Sequence, residues 1–221
     1  MSDPVKIFCY GDSNTYGYDP KTGLRHPRQV RWTGRLSRML GPEYQVVEEG
    51  CNGRTTVFPQ PGEEWKSGLY GLKVCLSTYK PVEVMVLMLG TNDLKNYYGA
   101  SAEQVAEGAE MIARQAESFM MEKCGTKPVI VLVSPIFIRE GIENTRFGYE
   151  FDGASIRKSH ELAPLYEEIA RRHGYIFLDA AKHAQASGDD CLHMGPEGHE
   201  ALAEAVYEKV LEALERLAGR K

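Results

Sequence analysis

Val5-Lys6-Ile7-Phe8-Cys9-Tyr10-Gly11-Asp12-Ser13-Asn14-Thr15 is the stretch from which the rest of this chain is read. Its first six residues form an apolar run that reads as a buried strand, and Gly11 breaks the run so that the chain turns sharply. The turn presents Ser13 at the carboxyl end of a strand and the start of a helix, where backbone N–H groups favour a developing negative charge. A serine hydroxyl in that place attacks a carbonyl only if a base and an oxyanion site converge on it. Standing alone, Gly11-Asp12-Ser13 reads more readily as a helix start with Ser13 at the N-cap and no chemistry.

Three further segments supply the missing partners. Near the C-terminus stands Asp190-Cys191-Leu192-His193, followed by Met194-Gly195-Pro196-Glu197-Gly198-His199. An Asp three residues before a His on a loop curls so that its carboxylate meets one imidazole nitrogen. The other nitrogen is then free to take the proton of Ser13, a division of roles that does not depend on chain order. Pro196 suits the first turn of a following helix, which places the pair just before a helix start. Gly90-Thr91-Asn92-Asp93 follows the apolar run Val84 to Leu89, and Gly50-Cys51-Asn52-Gly53-Arg54-Thr55-Thr56 follows Val46-Val47. The Asn92 amide and the backbone N–H groups of Gly53 and Ser13 would aim three donors at one point, each worth about 3 kcal/mol in the transition state. Asn and Gly are also ordinary turn residues. Placement favours the functional reading, because open α/β sheets gather ligand sites at strand carboxyl ends.

The remaining segments alternate strands with helices and contain no internal repeat. Helices are expected from Trp32 to Leu40, Leu69 to Tyr79, Ala102 to Met121 and Ala201 to Leu217, the third with Val105, Ala109, Ile112 and Ala116 at helical spacing. Val129 to Val133 and Tyr175 to Leu178 read as the fourth and fifth strands, the fourth stopped by Ser134-Pro135. Asp19 to Pro27, Phe58 to Glu63 and Pro135 to Ser159 read as loops. Strands separated by helices imply parallel pairing with right-handed crossovers. The expected fold is α/β, a three-layer α/β/α domain over residues 1–221 with a doubly wound, flavodoxin-like, parallel five-stranded sheet and no second domain.

The blocks GDSNT around Ser13, NGRT around Gly53, GTND around Asn92 and DCLH ending at His193 together resemble the SGNH (GDSL-type) hydrolases. They occur in the family order and run from residue 11 to residue 193. Within that superfamily the chain looks closest to bacterial aryl esterases with acyltransferase activity, on the stretches Val30-Arg31-Trp32-Thr33-Gly34, Glu48-Glu49-Gly50, Gly53-Arg54-Thr55-Thr56 and Leu89 to Lys95. The resemblance implies Ser13 as nucleophile, His193 as base, Asp190 as its orienter, and Ser13, Gly53 and Asn92 as oxyanion donors. Tyr16 and Tyr18 stand where aryl esterases carry tryptophan, and Asn14 stands where leucine is common. Those changes bear on the substrate, not on the chemistry. Asp12, Tyr16, Arg54, Trp65 and Ile136 are the expected substrate contacts, and Arg54 and Lys95 would suit an acidic substrate group.

Composition agrees with a compact enzyme. The 221 residues carry a net charge of −5 and are 43% hydrophobic. That is enough for a sizeable core, and no apolar stretch approaches the roughly 20 residues that span a bilayer. The negative balance argues against nucleic acid and anionic membranes as partners. No basic segment followed by an apolar core opens the sequence, so no signal peptide is read. The basic residues Arg216, Arg220 and Lys221 read as a solvated helix end. Five scattered cysteines fit neither a disulfide framework nor a zinc site, which points to a reducing, cytoplasmic setting. Cys191 is read as a small residue in a tight loop, not as a redox centre. Asp190, His193 and His199 lack a fourth ligand at convincing spacing, so no metal and no cofactor are expected.

The activity expected is transfer of short acyl groups, acetyl above all, from small esters through an acyl-enzyme on Ser13. A carbohydrate O-acetyl esterase uses the same blocks and is the nearest alternative. A thioesterase or lysophospholipase needs a longer acyl channel, and a non-catalytic binding module gives no reason to keep Ser13, Asp190 and His193 together. Aromatic residues in Pro135 to Ser159 (Phe137, Phe147, Tyr149, Phe151) and in Pro59 to Tyr70 (Trp65) would be solubility liabilities if exposed. Related aryl esterases form large homo-oligomers, so the resemblance implies self-association through these loops. Light scattering at micromolar concentration is expected to give a mass above that of one chain; a clean monomer contradicts the expectation.

Overall fold

The computed structural model describes residues 4–219, so Arg220 and Lys221 of the basic tail lie outside the described residues. Five strands form one sheet: β1 (Val5–Gly11), β2 (Tyr44–Gly50), β3 (Val84–Met88), β4 (Val129–Ser134) and β5 (Ile176–Asp179). Their order is β2-β1-β3-β4-β5, and every neighbouring pair is parallel. Helices α1 (Ser13–Tyr16), α2 (Trp32–Leu40), α3 (Gly68–Tyr79), α4 (Ala102–Cys124), α5 (Gly153–His173) and α6 (Pro196–Ala218) connect and cover it.

The continuous apolar runs of the strands are explained by burial on both faces. Side chains alternate across the sheet, so Phe8, Tyr10, Met85, Leu87, Ile130 and Leu132 face the layer that holds α3, α4 and α5. Ile7, Cys9, Val84, Val86, Val131 and Val133 face the opposite layer, where Trp32 and Leu36 of α2 pack with Leu202, Val206 and Val210 of α6. The doubly wound architecture expected from the sequence is the one observed. Among the described residues no helix is long and apolar enough to cross a membrane.

The expected loop from Pro135 to Ser159 ends early, because α5 begins at Gly153. Asp152 caps it, accepting the N–H groups of Ala154 and Ser155, while the Ser155 hydroxyl closes a capping box. Gly153 and the internal Pro164 hide this helix from a propensity reading. The shortened loop is also less exposed than its composition implied. Ile136, Ile138, Ile142 and Phe151 are buried, Phe137 stacks on His160, and only Tyr149 among these aromatics stands out at 77% exposure.

The end of the sheet that matters is the one where β2, β1 and β3 stop level. Gly11 pairs with Gly50 on one side and Met88 on the other. The chain leaving β1 then folds back so closely that a Cβ on Gly50 would stand 2.0 Å from the Tyr16 backbone nitrogen. A Cβ on Gly11 would stand 2.1 Å from Thr15 Oγ1. Two glycines therefore let α1 sit directly on the sheet edge. The segment between α1 and α2 is tied to β2 through half-buried Glu48. Arg31 binds Glu48 with both Nε (2.9 Å) and Nη2 (3.1 Å), and Thr33 Oγ1 donates to the same carboxylate. Burial raises the Glu48 pKa, and the Arg31 and Thr33 bonds more than reverse that, leaving it below the usual carboxylate value.

Candidate active site

Ser13 is the first residue of α1, held in place by Asp12, whose carboxylate accepts the Asn14 N–H at 2.9 Å. Its hydroxyl lies 2.8 Å from His193 Nε2, across 180 residues of sequence. His193 Nδ1 lies 2.7 Å from Asp190 Oδ2. Asp190 Oδ1 accepts the backbone N–H groups of Leu192 (3.0 Å) and His193 (2.9 Å), so the carboxylate both caps its own loop and orients the imidazole. All three side chains are buried. Burial raises the Asp190 pKa, but the hydrogen bond and charge of His193 and the two amide donors outweigh it and keep the carboxyl below its ordinary value. Chemically, this arrangement can pass a proton from hydroxyl to imidazole while a fixed anion stabilises the cation formed.

The tight curl from Asp190 to His193 requires a left-handed residue, and Cys191 takes it with φ of 59°. Its thiol turns away from the imidazole and donates to the Glu140 carbonyl at 3.5 Å. His199, considered above beside Asp190 and His193, is buried and receives the Trp32 N–H on Nδ1 at 3.4 Å. Burial holds its pKa down at about 3.

The level strand ends bring the other two loops beside Ser13. Gly53 has a left-handed φ of 77° in the turn closed by the Arg54 N–H to the Cys51 carbonyl. Asn92 opens a 3₁₀ turn after β3, and its Nδ2 donates to the Arg54 carbonyl at 3.1 Å, which fixes the amide plane and leaves a second N–H. The two loops are locked together by Asp93, which accepts the Thr56 N–H (2.9 Å) and the Thr56 hydroxyl. Ser13, Gly53, Asn92 and His193 line one cleft of about 170 Å³, with Tyr18, Asn52, Lys66, Lys95, Phe147, Glu150, Phe151 and Leu192. A larger hollow of about 810 Å³ lies against Ser187–Asp189 and Gly195–Gly198 and includes none of Ser13, Asp190 and His193.

None of the five side chains expected to touch substrate lines this cleft. Asp12 is buried beneath it as the cap of α1. The Tyr16 ring faces outward under Arg25, whose Cζ lies 4.5 Å from its centroid. Arg54 is turned inward: it lies over the Tyr10 ring at 4.1 Å and donates to the carbonyls of Gly11 and Glu49, fixing the ends of β1 and β2. A buried guanidinium must find such acceptors, and the strand ends provide them. Trp65 stands half exposed against Lys66, and Ile136 is part of the core between the sheet and α6. Lys95 does line the cleft, paired with Glu150 at 2.9 Å.

Sequence reasoning marked the Pro135 to Ser159 loop as substrate or assembly surface but named neither Tyr18 nor Phe147 as a wall of the cleft. The Tyr18 ring lies 4.4 Å and the Phe147 ring 5.3 Å from the His193 ring, and Arg146 covers both aromatics from outside at 5.3 and 5.1 Å. Tyr18 carried a signal, since it replaces a tryptophan in the resembling esterases. Phe147 carried none beyond its place in an aromatic-rich loop.

A serine, an imidazole and a carboxylate in line, with amide donors beside them at the switch point of a parallel sheet, are the groups that serine-dependent ester hydrolysis requires. The chain belongs to the GDSL-like lipase/acylhydrolase family, whose model matches residues 9–201. The solved structure of the native aryl esterase of M. smegmatis superposes with a TM-score of 0.87 at 30% identity, covering 95% of this chain and 99% of that one. Est24, a carbohydrate acetylesterase from Sinorhizobium meliloti, gives 0.87 at 29% identity, covering 94% and 99%. A member of the lipolytic G-D-S-L family from Veillonella parvula shares the fold, with a TM-score of 0.64 at 18% identity over 92% and 97%. No curated protein matches the chain.

Asp12 and Asp93 are fully enclosed beneath the site. Burial lifts Asp12 from an ordinary 3.8 to about 7, against the pull of the Asn14 N–H and with the help of Asp93. Burial likewise lifts Asp93 to about 6 against its Thr56 partners. Between 3.8 and about 7 the folded chain binds the Asp12 proton more tightly than the unfolded chain does. The stability this supplies is complete below 3.8 and is lost as pH rises through about 7. Urea unfolding of wild type and Asp12→Asn across that range is expected to find wild type losing stability relative to the variant as pH rises. A constant difference contradicts it.

Proposed function

We propose that this chain is a serine esterase that removes short acyl groups, acetyl in particular, from small esters. The observation that carries the reading is the continuous chain from Ser13 Oγ through His193 to Asp190, opening into a cleft of only about 170 Å³. A space of that size suits an acetyl or propionyl group.

His193 Nε2 takes the proton of Ser13 as Oγ attacks the ester carbonyl. The resulting oxyanion is held by the N–H groups of Ser13 and Gly53 and by the Asn92 amide. His193 then gives its proton to the departing alcohol, leaving the acyl group on Ser13. Water, or an alcohol entering between Tyr18 and Phe147, is deprotonated by His193 in turn and attacks the acyl carbonyl; as the acyl–Oγ bond breaks, His193 returns the proton to Ser13 Oγ. Tyr18 and Phe147 limit how much bulk solvent reaches the imidazole, which favours an alcohol acceptor over water where one is present. Imidazolium cannot accept a proton, so the rate falls on acidification.

A carbohydrate O-acetyl ester is the second reading. It is favoured by the likeness to the carbohydrate acetylesterase Est24 and by the polar rim of the cleft, where Asn52, Lys66, Lys95 and Glu150 offer hydrogen bonds to hydroxyl groups.

A series of p-nitrophenyl esters from acetyl to octanoyl, run on wild type and Ser13→Ala, tests the proposal. Turnover is expected to be highest for acetyl, to fall steeply by butyryl, and to drop by at least about 10³-fold in the variant. Turnover that survives in Ser13→Ala, or that favours octanoyl, contradicts it. Acetylated xylose oligomers compared with phenyl acetate separate the two substrate readings.

A further inference from the structure

Asn14 engages both of its backbone groups and both ends of its side-chain amide, and the two side-chain bonds reach the loop that carries His193. Its side-chain Oδ1 accepts the Met194 N–H at 3.0 Å, and its Nδ2 donates to the Leu192 carbonyl at 3.3 Å. The amide thus pairs with the peptide groups on both sides of His193, as a neighbouring strand would. Because Met194 N–H only donates and the Leu192 carbonyl only accepts, the orientation of the amide is fixed by its partners. The Asn14 backbone is anchored as well: its N–H goes to Asp12 and its carbonyl receives Trp32 Nε1 at 3.1 Å. Asn14 is buried, so none of these groups has water as a substitute.

We infer that Asn14 is a positioning residue that sets the Ser13–His193 distance, so that its departure from leucine bears on the chemistry and not, as expected from the sequence, on the substrate; the inference rests on the acyl-transfer reading above. Asn14 shares a peptide bond with Ser13, so the same rigid unit that presents the hydroxyl also grips the backbone of the imidazole. Without it, the alignment of two loops 180 residues apart would rest on the 2.8 Å Oγ–Nε2 bond and on apolar packing. The Oγ–Nε2 bond is remade at each proton transfer and cannot itself hold the geometry. The Asn14 pair is untouched by the reaction and holds the loop throughout the cycle. Leucine at this position would fill a similar volume and leave the Met194 N–H and the Leu192 carbonyl unpaired. The loop would then shift to find partners, and a displacement of about 1 Å at the base lowers turnover by about 10²-fold.

The test compares wild type, Asn14→Leu and Asn14→Asp for kcat and KM on p-nitrophenyl acetate. In parallel, the low-field proton resonance of His193 Nδ1–H, bonded to Asp190, is followed by NMR. Asn14→Asp keeps the acceptor for Met194 N–H and the side-chain volume but loses the donor to Leu192. The expected order of kcat is wild type, then Asn14→Asp, then Asn14→Leu, with the last lower by about 10- to 100-fold. KM is expected to stay nearly unchanged, as for an interaction that acts only on the reacting geometry. The resonance is expected to broaden or vanish in Asn14→Leu while the circular dichroism of the fold persists. Wild-type kcat and an unchanged resonance in a folded variant overturn the inference. If Asn14→Leu does not fold, Asn14→Asp carries the same criterion. Absence of Ser13-dependent turnover in wild type defeats the acyl-transfer reading instead, and the resonance alone then decides whether Asn14 holds the loop.

Discussion

Gly11 pairs with Gly50 and with Met88, and the site depends on that alignment. Three parallel strands stop at one level, so the three loops that leave them begin as neighbours. A residue larger than glycine at 11 or 50 would drive α1 off the sheet, because the space a Cβ needs is already filled by Thr15 and by the Tyr16 backbone. Ser13 is placed by the sheet itself. His193 is placed differently, by a loop that precedes α6 and returns to the same edge from the far end of the chain.

Holding these pieces together takes many buried polar groups, and most of them are paired. Arg54 joins the ends of β1 and β2, Asp93 joins the loops after β2 and β3, and Glu48 joins β2 to the segment that carries Tyr18. Removing one partner from such a pair strands the other without water, so each link is far more costly to break than its net contribution to folding. Asp12 and Asp93 lie at the extreme of this pattern. Their carboxyls are enclosed so completely that both hold their protons to a higher pH than an ordinary carboxyl, directly beneath Ser13.

The sheet and the grouping of the candidate site residues were legible because their signals are local. An apolar strand ending in glycine, repeated after β1, β2 and β3, states both the parallel sheet and the edge where its loops meet. Four short blocks then place Ser13, Gly53, Asn92 and His193, and the structure brings all four to one cleft. The substrate contacts were not legible, because orientation around a turn is set by tertiary partners. Arg54 sits one residue after Gly53 yet points into the core, drawn by the Tyr10 face and two carbonyl groups that belong to other segments. Phe147 reaches the imidazole only because the loop before α5 folds across the cleft, and α5 itself was hidden by a glycine at its start and a proline inside it. Asn14 looked like a departure from a pattern; its two bonds to the His193 loop span nearly the whole chain and have no sequence signature.

The account stands on Ser13 being a nucleophile that His193 activates, and covalent labelling tests that most directly. Wild type and His193→Ala would be treated with diethyl p-nitrophenyl phosphate and followed by intact-protein and peptide mass spectrometry. The account predicts a single diethylphosphoryl adduct on the peptide that carries Ser13, formed rapidly in wild type and very slowly in the variant. An adduct on another residue, or labelling that ignores the loss of His193, would contradict it.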